Sequence, residues 1–432
     1  MKKTFMEDLP SLLGRQVKIA GWVHKVRALG GLVFIILRDC TGLCQVVVKG
    51  NPDLVKLARS LNMEDVIEVK GIVQRSRSRQ FPVEVVAESI SVLNRVIGGV
   101  PLDVTGAIEA DLGTRLRYRV ADLKRPRNLA IFRVQAELVD AFRRYLKERR
   151  FIEVHTPKIV VYATEGGAEL FEVKYFENIA YLAQSPQIYK QMLVIAGFER
   201  VFEIGHAYRA EKHSTVRHLN EYVSLDIEMG FIEDENDLIN FEEDLIKYML
   251  QSVEENCSRE LKLLGAEVTI PDRIPKLRFP EVKEILVEYY NLKEYEDAED
   301  LDTRGEELIT KYVQENYGVD MVFVDLFPLS SRPFYTMPYD EVYGRSFDLI
   351  FRGLEVSTGS QRIHQYELLR QMMIKKGLNP DDFKYYLEAF KQGAPPHGGF
   401  AIGAERMTMK LLGLCNIREA SLFPRDRYRL EP

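Results

Sequence analysis

The stretch from Val201 to Phe231 constrains the fold of this chain more than any other, because two apolar strands enclose a long charged loop. An apolar run on one side and an alternating run from Tyr222 to Met229 on the other predict an antiparallel hairpin. The loop, residues 209–220, holds arginine, lysine, histidine and glutamate, and hairpin loops of this length are usually functional. Cations held between two buried strands suit a polyphosphate, although a solvated surface loop is the alternative.

Length and composition predict a soluble globular protein with more than one domain. The chain has 432 residues, of which 46% are apolar and 29% charged, and two or three domains are expected for this size. The first residues lack an apolar run long enough for a signal peptide, and no segment approaches a membrane span. The four cysteines, at positions 40, 44, 257 and 415, complete no zinc pattern, so we expect reduced thiols in a cytoplasmic protein.

The charge is distributed unevenly along the chain. The net charge of −6 argues against indiscriminate binding of nucleic acid. Residues 1–100 nevertheless carry 15 basic and 9 acidic side chains, a balance of +6, whereas the remainder balances at −12. A locally basic first domain is compatible with a polyanion held at that end of the chain.

Residues 15–95 have the pattern of a small β-barrel. The predicted elements are a strand at Val17–Val23, then Leu32–Arg38, Leu43–Lys49, a helix at Asp53–Leu61, and strands at Val66–Val73 and Pro82–Leu93. This is the element order of an OB-fold, a barrel that binds single-stranded nucleic acid through aromatic and basic residues. Alternation places Lys18, Trp22 and His24 on one face. A purely structural barrel with Phe34 in its core is the alternative.

The rest of the chain divides into a linker and a larger domain. We predict a barrel domain at residues 1–97, a linker with little regular structure at 98–127, and a second domain at 128–432. The second domain opens with an amphipathic helix, Leu129 to Arg150, followed by a short strand that Pro157 closes.

A second hairpin is predicted between Ser346 and His364, with its turn at Arg352 and Gly353. That turn would place Asp348 opposite Ser357, with Glu355 as the diagonal neighbour. Two carboxylates together with phosphate oxygens suit Mg²⁺. Two acidic residues at the surface are the alternative.

Two further segments carry polar or glycine-rich patterns. Ser185 is a good N-cap for a helix on which Gln187 and Lys190 share one face. The glycine-rich strand from Gly398 to Gly403 permits close backbone approach, and Arg406 follows at the strand–helix junction.

Three blocks of the sequence together resemble the three signature motifs of class II aminoacyl-tRNA synthetases. They are the helix and strand before Pro157, the Arg209 hairpin, and the glycine-rich strand with Arg406. The barrel narrows the resemblance to the aspartyl, asparaginyl and lysyl subgroup, and most of all to aspartyl enzymes of archaeal and eukaryotic type. It implies an α+β fold in which an OB-fold barrel precedes an antiparallel sheet flanked by helices. It also implies a homodimer that forms aspartyl-adenylate from aspartate and ATP and then aminoacylates the tRNA 3′ end.

The resemblance implies one ATP site, with Arg209 and Arg406 as the catalytic residues and ATP contacts at Arg209, Glu211, His218, Tyr222, Glu355 and Arg406. Arg209 would hold the α-phosphate, Glu211 would contact adenine, and His218 would face the outer phosphates. Tyr222 and Arg406 would lie on opposite faces of the adenine ring.

The resemblance also implies that Asp348 and Glu355 hold Mg²⁺. Thr358 stands where a serine ligand is common, and its hydroxyl retains the donor oxygen. Ala401 replaces a usual glycine of the third motif, so its methyl group would tighten the adenine pocket.

The amino-acid pocket would recognise a planar anion, which an arginine can hold with two parallel hydrogen bonds. The resemblance implies that Arg362 does so with support from Lys190, and that the ammonium group is surrounded by Glu165, Ser185, Gln187 and Asp226. Asparagine would leave the charges of Arg362 and Lys190 uncompensated, which predicts its rejection.

In the barrel, Phe34 and Gln45 resemble residues that stack on and read the central anticodon base, with Arg27 nearby. His24 and Ser89 stand where enzymes strict for the aspartate tRNA carry a bulkier aromatic residue and a lysine. This predicts an enzyme that charges both the aspartate and the asparagine tRNA.

Two alternatives for the function of the whole protein stay open, an asparaginyl enzyme of the same fold and a synthetase-like RNA-binding protein without catalysis.

Overall fold

The protein was analysed as a computed structural model that describes residues 2–162, 169–212 and 215–431. The chain folds into two compact units, Met1–Leu129 and Ala130–Pro432. No helix in the described ranges is both long and apolar enough to cross a membrane.

The first unit contains the predicted barrel. Its elements are β1 (Gln16–Leu29), β2 (Leu32–Arg38), β3 (Leu43–Val48), α1 (Pro52–Arg59), β4 (Val66–Arg75) and β5 (Val83–Asn94). The strands close in the order β1-β2-β3-β5-β4, with β3 and β5 paired in parallel. Aliphatic side chains such as Ile19, Val33 and Val69 fill the interior, which is the stabilising burial that the alternating pattern predicted.

A β-bulge changes the predicted outer face of this barrel. The register of β1 with β2 shifts between Val23 and Lys25, and the extra residue reverses the alternation at that point. His24 therefore does not share the face of Lys18 and Trp22, and only 9% of it is exposed. Its burial, reinforced by the charge of Arg38, lowers the pKa of His24 below its usual value.

The segment after the barrel is not the irregular linker that its glycines and prolines predicted. It contains two short helices, α2 (Leu112–Arg117) and α3 (Arg119–Leu123). The buried carboxylate of Asp122 accepts hydrogen bonds from Arg115 Nε at 2.9 Å and from Arg119 Nη1 at 2.7 Å. Asp111 caps α2 by accepting from the backbone N–H of Thr114 at 3.0 Å. These local polar contacts outweigh the weak helix propensity of the segment.

The second unit is built on an eight-stranded sheet with the order β12-β13-β14-β15-β16-β11-β10-β6. Its strands are β6 (Ile152–Glu153), β10 (Arg200–Tyr208), β11 (Glu221–Gly230), β12 (Lys276–Arg278), β13 (Met321–Asp325), β14 (Ser346–Phe351), β15 (Glu355–Arg362) and β16 (His397–Gly403). The predicted antiparallel sheet is confirmed for its six central strands, whereas the edge strands β6 and β12 pair in parallel. A small sheet adds β7 (Ile159–Val160), β9 (Asn178–Leu182) and β8 (Glu172–Tyr175).

Helices flank the large sheet. They are α4 (Pro126–Glu148), α5 (Gln187–Leu193), α6 (Glu235–Asn256), α7 (Ser258–Leu264), α8 (Phe279–Glu284), α9 (Thr303–Tyr317), α10 (Tyr366–Lys375), α11 (Lys384–Phe390) and α12 (Ala404–Leu411). Shorter turns of 3₁₀ or π type lie at Met6–Leu12, Val194–Phe198, Ile285–Tyr289, Lys293–Tyr295, Leu329–Ser331, Pro380–Phe383 and Ile417–Ala420. The main core joins apolar residues of α4 and α6 to the sheet, for example Val134, Leu245 and Phe347.

One carboxyl group lies inside this core. Glu242 of α6 is 0% exposed, and neither of its carboxyl oxygens has a hydrogen-bond partner within the described part of the chain. Burial raises the pKa of Glu242 to about 8, with the Ser357 hydroxyl opposing the shift and Asp348 adding to it. Glu242 is therefore protonated in the folded protein at neutral pH, since an unpaired carboxylate in this environment would be costly.

We expect Glu242→Gln to flatten the pH dependence of stability. Folding raises the pKa of Glu242 from 4.5 to about 8, so the folded state binds the extra proton and stability falls as pH rises between those values. The loss is at most about 1.4 kcal/mol per pH unit. Urea unfolding followed by circular dichroism should give the Glu242→Gln variant a growing advantage over wild type from pH 5 to pH 8. Glu254→Gln, exposed on the same helix, is the control, and equal pH profiles for Glu242→Gln and wild type would contradict the prediction.

Candidate active site

One cavity is lined by residues of the 209–220 loop, β11, β15, β16 and the start of α12. All the predicted ATP contacts line it, namely Arg209, Glu211, His218, Tyr222, Glu355 and Arg406, and so do Thr358 and Ala401. The structure thus brings together, around one cavity, residues that lie far apart in the sequence.

Strand pairing explains this convergence. β11 pairs with β10 on one side and with β16 on the other, and β16 also pairs with β15. Asp226, Ala401 and Thr358 consequently form one row across three neighbouring strands. The loop between β10 and β11 is closed at its base, where the Arg209 N–H donates to the Asn220 carbonyl at 2.9 Å. Its charged residues are therefore anchored beside the sheet.

Three arginines, Arg209, Arg217 and Arg406, give the cavity its cationic groups. The Arg209 guanidinium lies 5.9 Å from the centre of the Tyr222 ring. Arg406 Nη1 donates to the carbonyl of Glu355 at 2.9 Å and to its Oε1 at 3.3 Å. Planar, permanently charged guanidinium groups suit the oxygens of a phosphate chain.

His218 is a neutral member of this site. Burial lowers the pKa of His218 to about 4, and the charges of Arg406 and Arg217 add to the shift. Its Nδ1 lies 2.6 Å from the Thr215 hydroxyl. At neutral pH the imidazole can therefore offer a phosphate a hydrogen bond but no positive charge.

The hairpin of β14 and β15 differs in register from the predicted one. Asp348 lies opposite Thr358 rather than Ser357, because the pairing shifts by one residue after Leu349. A β-bulge is the reason, and the turn chemistry at Arg352 and Gly353 gave no sign of it. The bulge has a functional consequence, since Glu355 and Thr358, three residues apart, both line the cavity. Strict alternation would have sent one of them to the opposite face.

Asp348 is paired with an arginine that the sequence did not single out. Arg332 Nη2 lies 2.7 Å from Asp348 Oδ2 and Nη1 lies 3.2 Å from Oδ1, so the contact is bidentate. Arg332 Nη1 also lies 3.5 Å from the Thr358 hydroxyl. Burial raises the pKa of Asp348, although Arg332 opposes the shift. In the described ranges, no cluster of three or more His, Cys, Asp or Glu is arranged to hold a metal ion.

The predicted aspartate contacts form a buried network centred on Glu228. Arg362 Nε donates to Glu228 Oε1 at 3.0 Å, and Lys190 Nζ lies 3.5 Å from Oε2. Lys190 Nζ also donates to Asp226 Oδ1 at 2.9 Å. Gln187 completes the network, since its Oε1 accepts from Arg362 Nη2 at 3.0 Å and its Nε2 donates to Glu228 at 3.2 Å.

Glu228 was missed by the sequence analysis, and it changes the charge balance of the pocket. Burial alone would raise its pKa, but Arg362 and Lys190 hold the pKa of Glu228 below its usual value. The cations of the pocket therefore already face carboxylates, and asparagine would not leave them uncompensated as predicted. Glu228 could have been found from the pattern of β11, because polar and apolar residues alternate along this strand, and Asp226 and Glu228, two apart, share its polar face.

Gly399 makes room for this network. A Cβ atom at Gly399 would lie 2.1 Å from the carbonyl oxygen of Ile227 and 2.6 Å from Glu228 Oε2. Its own carbonyl accepts a hydrogen bond from Arg362 Nη2 at 3.0 Å. The predicted close backbone approach along the glycine-rich strand is thereby confirmed.

Ser185 and Glu165 complete the set of predicted aspartate contacts. The N-cap of α5 is Pro186 rather than Ser185, although the Ser185 hydroxyl still accepts from the Gln187 N–H at 3.3 Å. Glu165 lies outside the described residues, so its contact with the ammonium group stays a prediction.

A further pair connects the loop to α9, within the stretch of residues 258–330 from which the sequence analysis derived no chemistry. Arg217 lines the cavity, forms an ion pair with Glu306 and donates through Nη1 to the Thr303 hydroxyl at 2.5 Å. Burial raises the pKa of Glu306 to about 7, with Arg217 opposing the shift. No motif in the sequence indicates this pairing, because the two residues come from separate segments.

In the barrel, Arg27 lies directly opposite Phe34 on neighbouring strands, so two of the predicted anticodon contacts adjoin each other. Gln45 is on the next strand, and its Nε2 donates to Glu84 Oε2 at 2.7 Å. Glu84 was not singled out, but it fixes the orientation of the Gln45 amide.

The other two predicted anticodon residues lie elsewhere on the barrel. His24 is buried at the bulge of β1, whereas Ser89 is exposed on β5 opposite Lys70. Neither is the direct cross-strand partner of Phe34.

Comparison with known proteins assigns both units. Residues 111–427 match the family described as class II tRNA synthetases (D, K and N), and residues 17–93 match the OB-fold nucleic acid binding domain. The chain is 46% identical to an aspartate–tRNA(Asp) ligase of Pyrococcus furiosus, with 99% of this chain and 98% of that protein covered. It is also 46% identical to an aspartate–tRNA(Asp/Asn) ligase of Methanopyrus kandleri, with both chains fully covered.

A solved structure gives a similar result at the level of the fold. The asparaginyl-tRNA synthetase from Pyrococcus horikoshii complexed with asparaginyl-adenylate matches with a TM-score of 0.92 and 31% identity, over 100% of both chains. The resemblance drawn from the sequence motifs is thus confirmed, and the chain belongs to the class II aminoacyl-tRNA synthetases, in the group that contains the aspartyl, lysyl and asparaginyl enzymes.

Proposed function

We propose that this protein is an aspartate–tRNA ligase that forms aspartyl-adenylate from L-aspartate and ATP and transfers the aspartyl group to the tRNA 3′ end. The observation that carries the proposal is the placement of two sites on one strand. Thr358 of β15 lines the cavity in which we place the phosphates of ATP, and Arg362, four residues further on the same face, enters the buried network with Lys190. The names of the curated relatives support the same reaction.

The first step is a displacement at phosphorus that needs no side-chain nucleophile. A carboxylate oxygen of aspartate attacks the α-phosphorus of ATP, and the bond to pyrophosphate breaks. Arg209 and Arg406 would neutralise the phosphate charge, and His218 would add a hydrogen bond to the outer phosphates. Positioning and charge neutralisation account for most of the catalysis in such reactions.

The second step forms the ester. The terminal ribose hydroxyl of the tRNA attacks the acyl carbonyl of the adenylate, the bond from that carbon to the phosphate oxygen breaks, and AMP leaves while the hydroxyl proton is released. The Glu211 side chain, which lines the cavity, would help to hold the adenine during both steps.

The donor set at β14 and β15 fits Mg²⁺. Asp348, Glu355 and Thr358 offer two carboxylates and a hydroxyl, all hard oxygen donors, and Mg²⁺ usually takes only one or two carboxylates besides phosphate and water. When bound, the ion would neutralise and orient the phosphate oxygens. Arg332, already hydrogen-bonded to Asp348, would hold that carboxylate in place.

Selection of aspartate rests on hydrogen-bond geometry within a charge-balanced pocket. The side-chain carboxylate of the substrate would replace the Gln187 oxygen on Arg362 Nη2, with Lys190 beside it. A carboxylate offers Arg362 two acceptor oxygens, whereas the amide of asparagine offers one acceptor and one donor. The donor would face a guanidinium group, which has no acceptor.

The asparaginyl alternative has one specific observation in its favour, the high structural similarity to an asparaginyl-tRNA synthetase. Similarity of fold does not separate the two substrates, because both enzyme types share it. The closer sequence match to aspartate–tRNA ligases, 46% against 31% identity, favours aspartate.

For the nucleic-acid substrate, we propose relaxed recognition of both the aspartate and the asparagine tRNA. Relatives named aspartate–tRNA(Asp/Asn) ligase cover the full chain, and Ser89 lacks the positive charge that the resemblance associates with strict enzymes. We also propose a homodimer, as the resemblance implies.

The amino-acid assignment is tested by ATP–pyrophosphate exchange without tRNA, with aspartate or asparagine. We expect exchange with aspartate only. Arg362→Lys keeps the charge but loses the planar fork, so its KM for aspartate should rise by about tenfold or more. Exchange with asparagine would move the assignment to the asparaginyl enzyme, and silence with both would favour the protein without catalysis.

The pair of Arg217 and Glu306 gives a prediction for ATP. At pH 8, above the pKa of about 7 that burial gives Glu306, Glu306→Gln preserves the side-chain shape but removes the charge that holds Arg217 at the cavity, so we expect the KM for ATP to rise by roughly threefold to tenfold. The KM for aspartate should not change. Glu307→Gln, exposed on the same helix, is the matched control. A lower KM for ATP in Glu306→Gln would mean that the pair withholds Arg217 from the substrate.

Relaxed tRNA choice is tested with purified transcripts. We expect the kcat/KM for aspartylation of asparagine tRNA to lie within about tenfold of that for aspartate tRNA. Ser89→Lys should lower the value for asparagine tRNA alone, whereas Ser91→Lys, exposed on the same strand, serves as control. Absence of aspartylated asparagine tRNA under conditions that charge aspartate tRNA would refute the relaxed assignment.

A further inference from the structure

Both carboxylates that we propose for Mg²⁺ are paired with arginine side chains of the protein itself. Arg332 holds Asp348 through two hydrogen bonds, 2.7 Å and 3.2 Å long, and its Nη1 lies 3.5 Å from the Thr358 hydroxyl. The other carboxylate, that of Glu355, lies 3.3 Å from Arg406 Nη1. The two negative charges of the donor set therefore already face two permanent positive charges.

Arg332 is fixed firmly within the protein. Its side chain is only 11% exposed, and its guanidinium lies 3.8 Å from the ring centre of Phe327, a fully buried residue. The turn before it, Leu329–Ser331, is anchored by Lys376, whose Nζ donates to the Leu329 carbonyl at 2.7 Å. Arg332 is thus a positioned cation and differs from a mobile charge at the surface.

The position of this cation bears directly on a metal ion at Asp348. Mg²⁺ binds about 2.1 Å from a carboxylate oxygen, so an ion on Oδ1 of Asp348 would lie within about 5 Å of Arg332 Nη1. Asp348 is only 5% exposed, so water and salt screen the repulsion between the two cations poorly. A divalent ion and Arg332 therefore compete for the same carboxylate.

One more carboxylate faces Arg332. Asp300 Oδ1 lies 3.8 Å from Arg332 Nη2, but the Asp300 side chain is 59% exposed, so solvent weakens this interaction. A buried ion pair such as that of Arg332 and Asp348 is by itself weak evidence for a stabilising role, because desolvation offsets much of the attraction. The guanidinium also reaches Thr358, a second donor of the set, which points to a role in metal binding.

We propose that Arg332 is a resident cation that excludes divalent ions from Asp348 until ATP binds. The phosphate chain of ATP then adds negative charge, and Oδ1, which has the longer contact with Arg332, becomes available to the ion while Oδ2 keeps the shorter contact. The ion therefore enters with ATP and not before it. The inference rests on the proposed function, since it gives the order in which ATP and Mg²⁺ bind, and it makes Arg332 a positioning residue that acts through Asp348.

The test measures the binding of Mn²⁺ alone, without ATP, by the loss of the electron paramagnetic resonance signal of the free ion. Mn²⁺ takes the same oxygen donors as Mg²⁺. Arg332→Gln removes the charge but leaves an amide that can donate to Asp348. We expect its dissociation constant for Mn²⁺ to be lower than that of wild type by about tenfold or more.

Two controls retain the wild-type charge at this position. Arg332→Lys keeps a cation beside Asp348 and should bind Mn²⁺ as weakly as wild type. Arg345→Gln, which removes an arginine paired with Glu235, is the matched control for the loss of a guanidinium group and should also behave as wild type.

A gain of metal binding is a result that structural damage would not produce. The double variant Arg332→Gln/Asp348→Asn locates the ion, because it should lose the gain. Circular dichroism checks that each variant is folded. A folded Arg332→Gln variant that binds Mn²⁺ no better than wild type would overturn the proposal, and so would a gain that persists in the double variant.

A comparison that leaves Arg332 in place decides the matter if Arg332→Gln does not fold. Wild type and Asp348→Asn should bind Mn²⁺ equally without ATP, and weaker binding by Asp348→Asn would contradict the exclusion. The proposed function is tested separately by ATP–pyrophosphate exchange. Absence of exchange in wild type would count against the ligase, and the Mn²⁺ measurements would still decide the role of Arg332.

Discussion

The pairing of β11 with β10 on one side and β16 on the other is the constraint on which the site depends. It brings the charged loop, the glycine-rich strand and the acidic hairpin of β14 and β15 into one sheet. The approach of β16 is so close that only glycine fits at position 399, where a Cβ would overlap the backbone of β11. Backbone hydrogen bonding thus sets the separation of the cationic and acidic groups before any substrate binds.

Two buried glutamates show how neighbouring charges decide protonation. Glu228 and Glu242 are both fully buried. Arg362 and Lys190 keep Glu228 ionised, whereas Glu242 has no cationic partner among the described residues and its pKa rises to about 8. The first glutamate organises the pocket proposed for the amino acid. Glu242 lies on the opposite side of the same sheet from the cavity. Its burial lowers the free energy of unfolding by an amount that grows as the pH rises.

Both side-chain placements that the sequence analysis misjudged in strands arise from β-bulges. The bulge in β1 buries His24, and the bulge in β15 moves Asp348 opposite Thr358. In the second case the irregularity allows Glu355 and Thr358 to line one cavity. A bulge adds one residue to one strand only, so an alternating pattern cannot reveal it. Such positions are common next to active sites, and this chain is an example.

The sequence by itself determined the element order, the barrel, the central hairpin and the residues that gather around the cavity. The first three are local signals, since strand alternation and turn residues depend on neighbours in the chain. The residues around the cavity were indicated by the resemblance of three separate blocks to the motifs of a known family. Only the tertiary structure decided which charges meet. Arg332 pairs with Asp348, Arg217 with Glu306, and Glu228 with Arg362 and Lys190. Partners of this kind are brought together by sheet order and helix packing, and no periodicity in the sequence encodes the distance between them.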